Sequence, residues 1–395
     1  MHLLLFLLLL PQNYEQRGFV ESGAVIYPDK ASNDSSSIVG EARVRYEGFY
    51  RLNNNFQVIG GVDLRTDTHR QTEREWRLDW KDRGRQRPLA SLRRLSVQYH
   101  KGGLTLEAGK QFVRWGRTDI LNPTDRFAPR DYMTVVDNEF LGIEAVRGTY
   151  QHGAQTLDVV WSPIMTPSRV PLLTQRWFVR PPGVEGDLSF ERHFPKGAQT
   201  GVRWSYVGAM EFSAAYFSGF SHEPIIDLVP GKFALRRTHP EERMVGGDVG
   251  VPLRWLFLKG EVAYTASPRN QNDETVLYVI QLERQSGEWF FVGGYGGEVL
   301  TQTGYQLAKF NPNRGMIKTV LARAGYTIDV NRTVSFEGAV RQNGDGVWLK
   351  SEYSQAFGQH WRLTTNVSLI RGEPSDFLGQ YRLNSHGTVT LKYSF

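Results

Sequence analysis

The chain contains no cysteine in its 395 residues, so disulfides and thiolate metal sites are excluded. Past the first ten residues it also lacks any run of about twenty apolar residues, and without one no helix crosses a bilayer. Its negative mean hydropathy does not exclude a membrane protein made of strands, because a barrel strand turns only half of its residues to lipid. Gly-x-Gly-x-x-Gly and P-loop patterns, heptads and low-complexity tails are missing as well. What is plentiful is glycine (40), tyrosine (17) and tryptophan (10), a composition suited to one large barrel with many turns and aromatic girdles.

The formal charge is +6, and most of the cations are arginine, whose planar fork suits bidentate anion contacts. A nucleic-acid binder gathers its cations on one face, whereas these are spread over strands and loops and alternate with Asp and Glu, so nucleic acid is not an expected partner. The opening Met1–Leu10 is leucine-rich, with His2 as its one polar residue, and Pro11 and Gln12 follow. Residues 1–12 read as a signal-peptide remnant, an apolar h-region without a basic n-region or a small-residue cleavage site. Residues 13–395 read as a single barrel.

At the other end, Val389, Leu391, Tyr393 and Phe395 alternate with Thr390, Lys392 and Ser394, giving a strand with one face for lipid and one for water. The ending resembles the C-terminal signature of bacterial outer-membrane β-barrels. That resemblance makes Tyr393 and Phe395 an assembly signal and the barrel assembly machinery a partner. The same period of two recurs upstream. Leu363, Thr365, Val367 and Leu369 oppose Arg362, Thr364, Asn366 and Ser368, while Ala42, Val44 and Tyr46 oppose Glu41, Arg43, Arg45 and Glu47. A helix would scatter such charges around its circumference.

Connections alternate between short and long. Tight turns are expected at Asn53–Asn55, His100–Gly103, Gln151–Ala154, Tyr206–Ala209, Pro252–Arg254, Ser286–Glu288, Asp329–Arg332 and Gly358–His360. Long loops fall between them at Pro28–Ser37, Thr66–Leu89, Lys110–Phe140, Pro163–Gln199, Ser221–Glu242, Thr265–Glu274 and Glu298–Gly315, and the order continues with Gln342–Asp345 and Arg371–Leu383. The predicted fold is therefore all-β: a transmembrane antiparallel barrel of about eighteen strands, with short periplasmic turns and long extracellular loops. Weak patterning within Leu141–Gln151 and Arg243–Val251 leaves about sixteen as the alternative, and either even number puts both termini in the periplasm of the bacterial outer membrane.

The densest unusual segment, Gly109–Asp131, reads GKQFVRWGRTDILNPTDRFAPRD. Asn122-Pro123 and Ala128-Pro129 are turn formers, so a long loop here is expected to be ordered. On Gly109, Gln111, Trp115, Gly116, Asp119, Asn122, Pro123 and Asp125, the chain resembles porin-like outer-membrane barrels, among them the alginate-export-like proteins and related barrels found beside exporters. The resemblance implies that residues 110–140 fold into the lumen. Arg114, Trp115, Arg117, Asp119, Asn122, Asp125, Arg126, Arg130 and Asp131 would then form a constriction. Alternation assigns Arg43, Arg45, Arg65, Arg94, Glu107, Arg203, Glu261, Arg323, Glu337, Arg341, Lys350 and Arg362 to the lumen, with Glu41, Asp63 and Glu352 between them.

Charged rings of this kind select solutes. The expected function is a passive channel for a small or chain-like polar solute with a weak preference for anions. The alternatives are a non-conducting receptor or anchor, or the exit partner of a periplasmic or inner-membrane exporter. Outer-membrane lipid and lipopolysaccharide are expected partners, since Arg binds phosphate well and the loop segments Arg74–Arg87 and Arg169–Arg192 are charged and aromatic. His100, His152, His222 and His360 fall in expected turns or loops, His386 on the last strand has no evident partner, and no His or carboxylate cluster has metal spacing, so neither an enzyme nor a cofactor is expected.

Overall fold

The computed structural model of the protein describes residues 13–119, 121–180, 189–229, 234–304, 308–309 and 312–395. The leader reading of residues 1–12 lies outside them. Among the described residues the wall strands are Tyr14–Ile26, Ile38–Arg51, Phe56–Asp67, Ala90–Lys101, Leu104–Gln111, Ile143–His152, Gln155–Ser162, Gln199–Val207 and Glu211–Phe220. They continue as Glu241–Pro252, Phe257–Ala266, Glu274–Ser286, Trp289–Gln302, Thr319–Asp329, Arg332–Arg341, Gly346–Phe357, Trp361–Gly372 and His386–Ser394. Each pairs antiparallel with the next, and the last returns to the first, from Phe19 opposite Ser394 to Ile26 opposite Gly387. Eighteen strands thus close into a barrel, and a nineteenth member of the sheet is the short Leu78–Asp79. The strands break where tight turns are expected, and the long loops all leave from the opposite end.

Period two explains why these residues make a membrane wall. Val44, Leu64, Val97, Leu106, Val159, Val202, Val262, Ile280, Val320, Phe336, Leu349, Leu369 and Leu391 lie on one face and are exposed, forming a continuous apolar band of the kind hydrocarbon covers. Aromatic side chains gather beside the short turns, with Trp289 against Tyr326, Trp361 against Tyr393 and Phe56 against Tyr99. That is the girdle of an interface, where an apolar ring carries a polar edge. The other face of the same strands carries Glu21, Arg43, Arg45, Asp63, Arg65, Glu107, Asp158, Arg203, Asp248, Glu261 and Gln281.

The interior is not uniformly polar, because long loops fold back into it. One apolar cluster joins Val113, Trp115 and Phe127 of a loop to Ile143, Val160, Phe217, Met244 and Ala263 on inward rows. A second joins Val135 and Trp177 of two loops to Leu321, Ala339, Trp348 and Ile370, together with Leu378 and Tyr381. Over the long-loop end, Ser189–Arg192, Ile225–Leu228, Ala234–Thr238 and Ala308–Lys309 form a small separate sheet.

Parity predicts opposite results from one substitution on the two faces. Val262 is 47% exposed in the apolar band, and Val262→Arg should destabilise the barrel by about 2–4 kcal/mol. Thr390→Arg on the inner face should cost less than about 1 kcal/mol, both read from urea unfolding in lipid vesicles.

Candidate functional site

The loop between Gln111 and Ile143 begins on a strand with unusual backbone. Gly109 has φ +126°, and a Cβ there would meet the Leu95 carbonyl oxygen at 2.2 Å, so only glycine fits. Gln111 is fully buried and donates to the Ala145 carbonyl at 3.0 Å, tying the loop's root to the neighbouring strand. The chain then makes a compact turn around Asp125, whose carboxylate accepts from the backbone N–H of Trp115 and, at 2.6 Å, of Gly116. Asn122 lies so close over Gly116 that a Cβ would meet its side chain at 2.5 Å. These contacts give Gly116, Asn122 and Asp125 their places in the motif.

One wall carboxylate holds this turn. Glu261 accepts from the N–H groups of Arg117 at 2.9 Å, Thr118 at 3.2 Å and Thr124 at 2.8 Å, and from the Thr124 hydroxyl at 2.8 Å. Around it, Arg117 bridges Asp248 and Glu211, and Arg203 reaches Asp248 at 2.8 Å. Asp119 accepts from Gln281 at 2.6 Å and pairs with Lys259 at 3.1 Å. Trp115 is buried with its indole N–H on Asp158 at 3.1 Å, and Arg126 lies 3.5 Å from Glu242. The segment from Trp115 to Arg126 therefore lies against inward-facing side chains of several strands. In it Arg117, Asp119 and Arg126 serve as anchors.

The returning half of the loop faces what remains of the lumen. Arg114 and Arg130 both lie over the Phe140 ring, their guanidinium carbons 4.1 and 4.3 Å from its centroid. Arg130 also donates to Asn138 at 3.0 Å and to Asn122 at 3.4 Å. Asp131 pairs with Arg87 at 2.9 Å and Arg169 at 2.6 Å, joining three long loops. Burial alone would raise the Asp131 carboxyl, but the two guanidiniums outweigh it and hold the group well below the usual carboxylate range.

Glu139 is the centre of the strongest charge cluster. Arg43 pairs with it, as do Arg65 at 2.6 Å, Arg45 at 3.3 Å and Arg93 at 3.7 Å. Burial raises this carboxyl too, and Arg65, Arg43 and Arg45 again carry it far below the ordinary value. Asp63 braces Arg45 at 2.7 Å and Arg65 at 3.0 Å, and Glu21 pairs with Arg43. A cavity of about 240 Å³ remains between this cluster and the wall, bordered by Glu21, Glu41, Arg43, Arg87, Asn366 and Thr388.

The other lumen residues divide by partner. Arg94 pairs with Glu107 at 2.8 Å and Arg341 with Asp376 at 2.9 Å. Lys350 is 3.7 Å from Glu352 and 3.9 Å from Asp137, and Arg323, Glu337 and Lys350 share one register row. Among the described residues Arg323 and Arg362 form no ion pair, and Arg362 donates to Ser354 at 2.9 Å. Tyr393 and Phe395 lie at the closing seam, where Phe395 exchanges two backbone hydrogen bonds with Gly18 at 2.9 and 3.0 Å. Sequence reading passed over Glu139, Arg93, Arg87 and Phe140. The signal available for Glu139 was the surplus of arginine on adjacent strands at Arg43, Arg45 and Arg65, which a buried arrangement must balance.

No family model matches the chain, and no curated protein does. Among solved structures it is similar to a BenF-like porin from Pseudomonas fluorescens Pf-5, with a TM-score of 0.56 at 11% identity over 97% of this chain and 98% of that one. It is also similar to Pseudomonas aeruginosa OpdQ, with a TM-score of 0.54 at 10% identity over 98% and 99% of the two chains. A third likeness is to Acinetobacter baumannii OccAB3, with a TM-score of 0.55 at 8% identity over 98% and 100%. At these identities the likeness is one of fold.

Glu261→Ala should strand three N–H donors, two of them buried, cost on the order of 3 kcal/mol and open Arg114 and Arg117 to trypsin. The acid response follows from Asp131 and Glu139, both depressed in the folded state. Their stabilisation is complete above the unfolded carboxylate value of about 4 and is lost as pH falls through the folded values. Their contribution to thermal stability should therefore stay level from neutral pH to about 4 and fall only below it, read from the melting temperature of wild type against Asp131→Asn/Glu139→Gln across that range.

Proposed function

We propose that the chain is a passive outer-membrane channel for small polar solutes, with its long loops outside the cell, both termini periplasmic and a weak preference for anions. The observation that carries the reading is the charge layout around Glu139. Arg43, Arg45, Arg65 and Arg93 face that single loop carboxylate beside a cavity of about 240 Å³, while Arg323 and Arg362, among the described residues, stand without an ion pair further round the inner wall. A solute entering such a space exchanges part of its hydration for fixed guanidinium and carboxylate groups. Size is set by how far the loop fills the lumen, and sign by Arg323 and Arg362, whose guanidiniums have no carboxylate paired with them among the described residues. Selection needs no energy coupling, because the binding groups are fixed and the solute runs down its gradient.

In this reading the anchored arginines, Arg117 and Arg126, fix the loop's position, and Arg114 and Arg130, both stacked on Phe140, line the passage. The narrower likeness to alginate-export-like barrels, with hand-over from an exporter, is part of the proposal through the Gly109–Asp125 motif alone. Conductance decides between the channel and a non-conducting receptor or anchor. The purified barrel in planar bilayers should give discrete single-channel steps, and none with wild type or loop-deleted protein would remove the channel. Replacing Arg323 and Arg362 together by Ser should move the reversal potential in a salt gradient toward cations, and an unchanged potential would take these residues out of the selectivity.

A further inference from the structure

The second long loop carries a feature that the pore does not use. Strand Ala90–Lys101 pairs with its following neighbour only from Leu95 onward, which leaves the edge at Ala90 and Ser91 open. Leu78 and Asp79 fill that edge as a parallel strand, Leu78 opposite Ala90 and Asp79 opposite Ser91. Ala90 in turn lies opposite Leu64, a member of the outward apolar row. Leu78 therefore extends the lipid-facing row by one residue. Trp76, Leu78 and Trp80 are 80%, 57% and 45% exposed, an alternation of large apolar groups that water would disfavour.

The row is held in place. Lys110 donates to the Trp80 carbonyl at 2.7 Å and to Asp82 at 2.6 Å, and Glu73 and Arg87 are joined by a backbone hydrogen bond of 2.8 Å. Its height is fixed by the wall. Leu64 stands eight positions beyond Phe56, which lies at the short-turn girdle, and at about 3.3 Å per residue and a tilt of about 40° that is roughly 20 Å across the membrane. The apolar band is about 25 Å tall, so Leu78 sits at its far rim. Running parallel to a descending strand, the segment puts Trp80 on the membrane side of Leu78 and Trp76 beyond it. Cations flank the row: Arg74, Arg77, Lys81 and Arg85 are exposed, and Lys81 lies 4.9 Å from the Trp80 ring. Arg77 shares its charge with Glu73 at 3.1 Å, and Glu75 and Asp79 are interspersed, so attraction to an anion acts through close contacts.

We propose that the Arg74–Trp80 segment docks a phosphate-bearing lipid of the outer leaflet, acyl chains against Leu78 and Trp80 and phosphate on Arg74 and Arg77, with Trp76 at the level of the headgroup. The location rests on the proposed orientation with long loops outside. Continuity with the lipid-facing wall supplies the apolar half of the site, and the guanidinium groups at and beyond the rim supply the half that meets phosphate. The test is native mass spectrometry of the detergent-solubilised barrel with lipid A or with lipid A stripped of its phosphates. Wild type should retain lipid A about tenfold more tightly than Arg74→Ser/Arg77→Ser, and dephosphorylated lipid A should bind wild type no better than lipid A binds that variant. Equal retention by the variant, or equal retention of dephosphorylated lipid, would overturn the site. Heat-modifiable mobility confirms that the variant is folded. Its conductance should match wild type, so a failed channel reading and a failed lipid site appear in different measurements.

Discussion

No backbone N–H or C=O can face hydrocarbon unpaired, and this constraint forces the final strand to find the first. The seam from Phe19–Ser394 to Ile26–Gly387 removes the last free edges of the wall. Once it is closed, register governs everything else. Arg43 and Arg45 face the lumen because Val44 faces lipid, and a slip of one residue would exchange the two sets and put guanidiniums into the bilayer. The charges of the interior are thus a consequence of where apolar residues had to go.

Charges turned into a narrow space need partners. The chain answers with arginine, whose fork can serve two carboxylates at once, as Arg45 and Arg65 each do between Asp63 and Glu139. The loop takes part in this balance as a donor of backbone N–H groups to Glu261 and as a donor of charge at Asp131 and Glu139. Its two halves therefore do different work. The first is fastened to the wall, and the second sets the local field.

The wall was legible in the sequence because period two and the alternation of turns with loops are local signals, and each strand repeats them. The motif around Trp115, Asn122 and Pro123 was legible as an ordered turn for the same reason. Its fastening was not: Glu261 could be placed on the inner face, but its donors at Arg117, Thr118 and Thr124 lie on a distant stretch of chain, and no spacing links them. Arg93 was missed for a different reason. The strand register shifts between Gly61 and Val62, so Arg93 and Arg94 both reach acids of the interior, Glu139 and Glu107, where strict alternation allows only one.

The apolar cluster of Val135, Trp177, Leu321, Ala339, Trp348, Ile370, Leu378 and Tyr381 sits inside the wall and draws on segments from across the chain. Its members lie far apart in sequence and meet only across the closed wall, and contacts of such range carry a large loop-closure cost. The diameter of the barrel is set by strand number and stagger, so this packing fills space inside the wall without changing the wall's size. A membrane wall here encloses a core of the soluble kind, in which apolar loop side chains pack on the inward apolar residues of the strands.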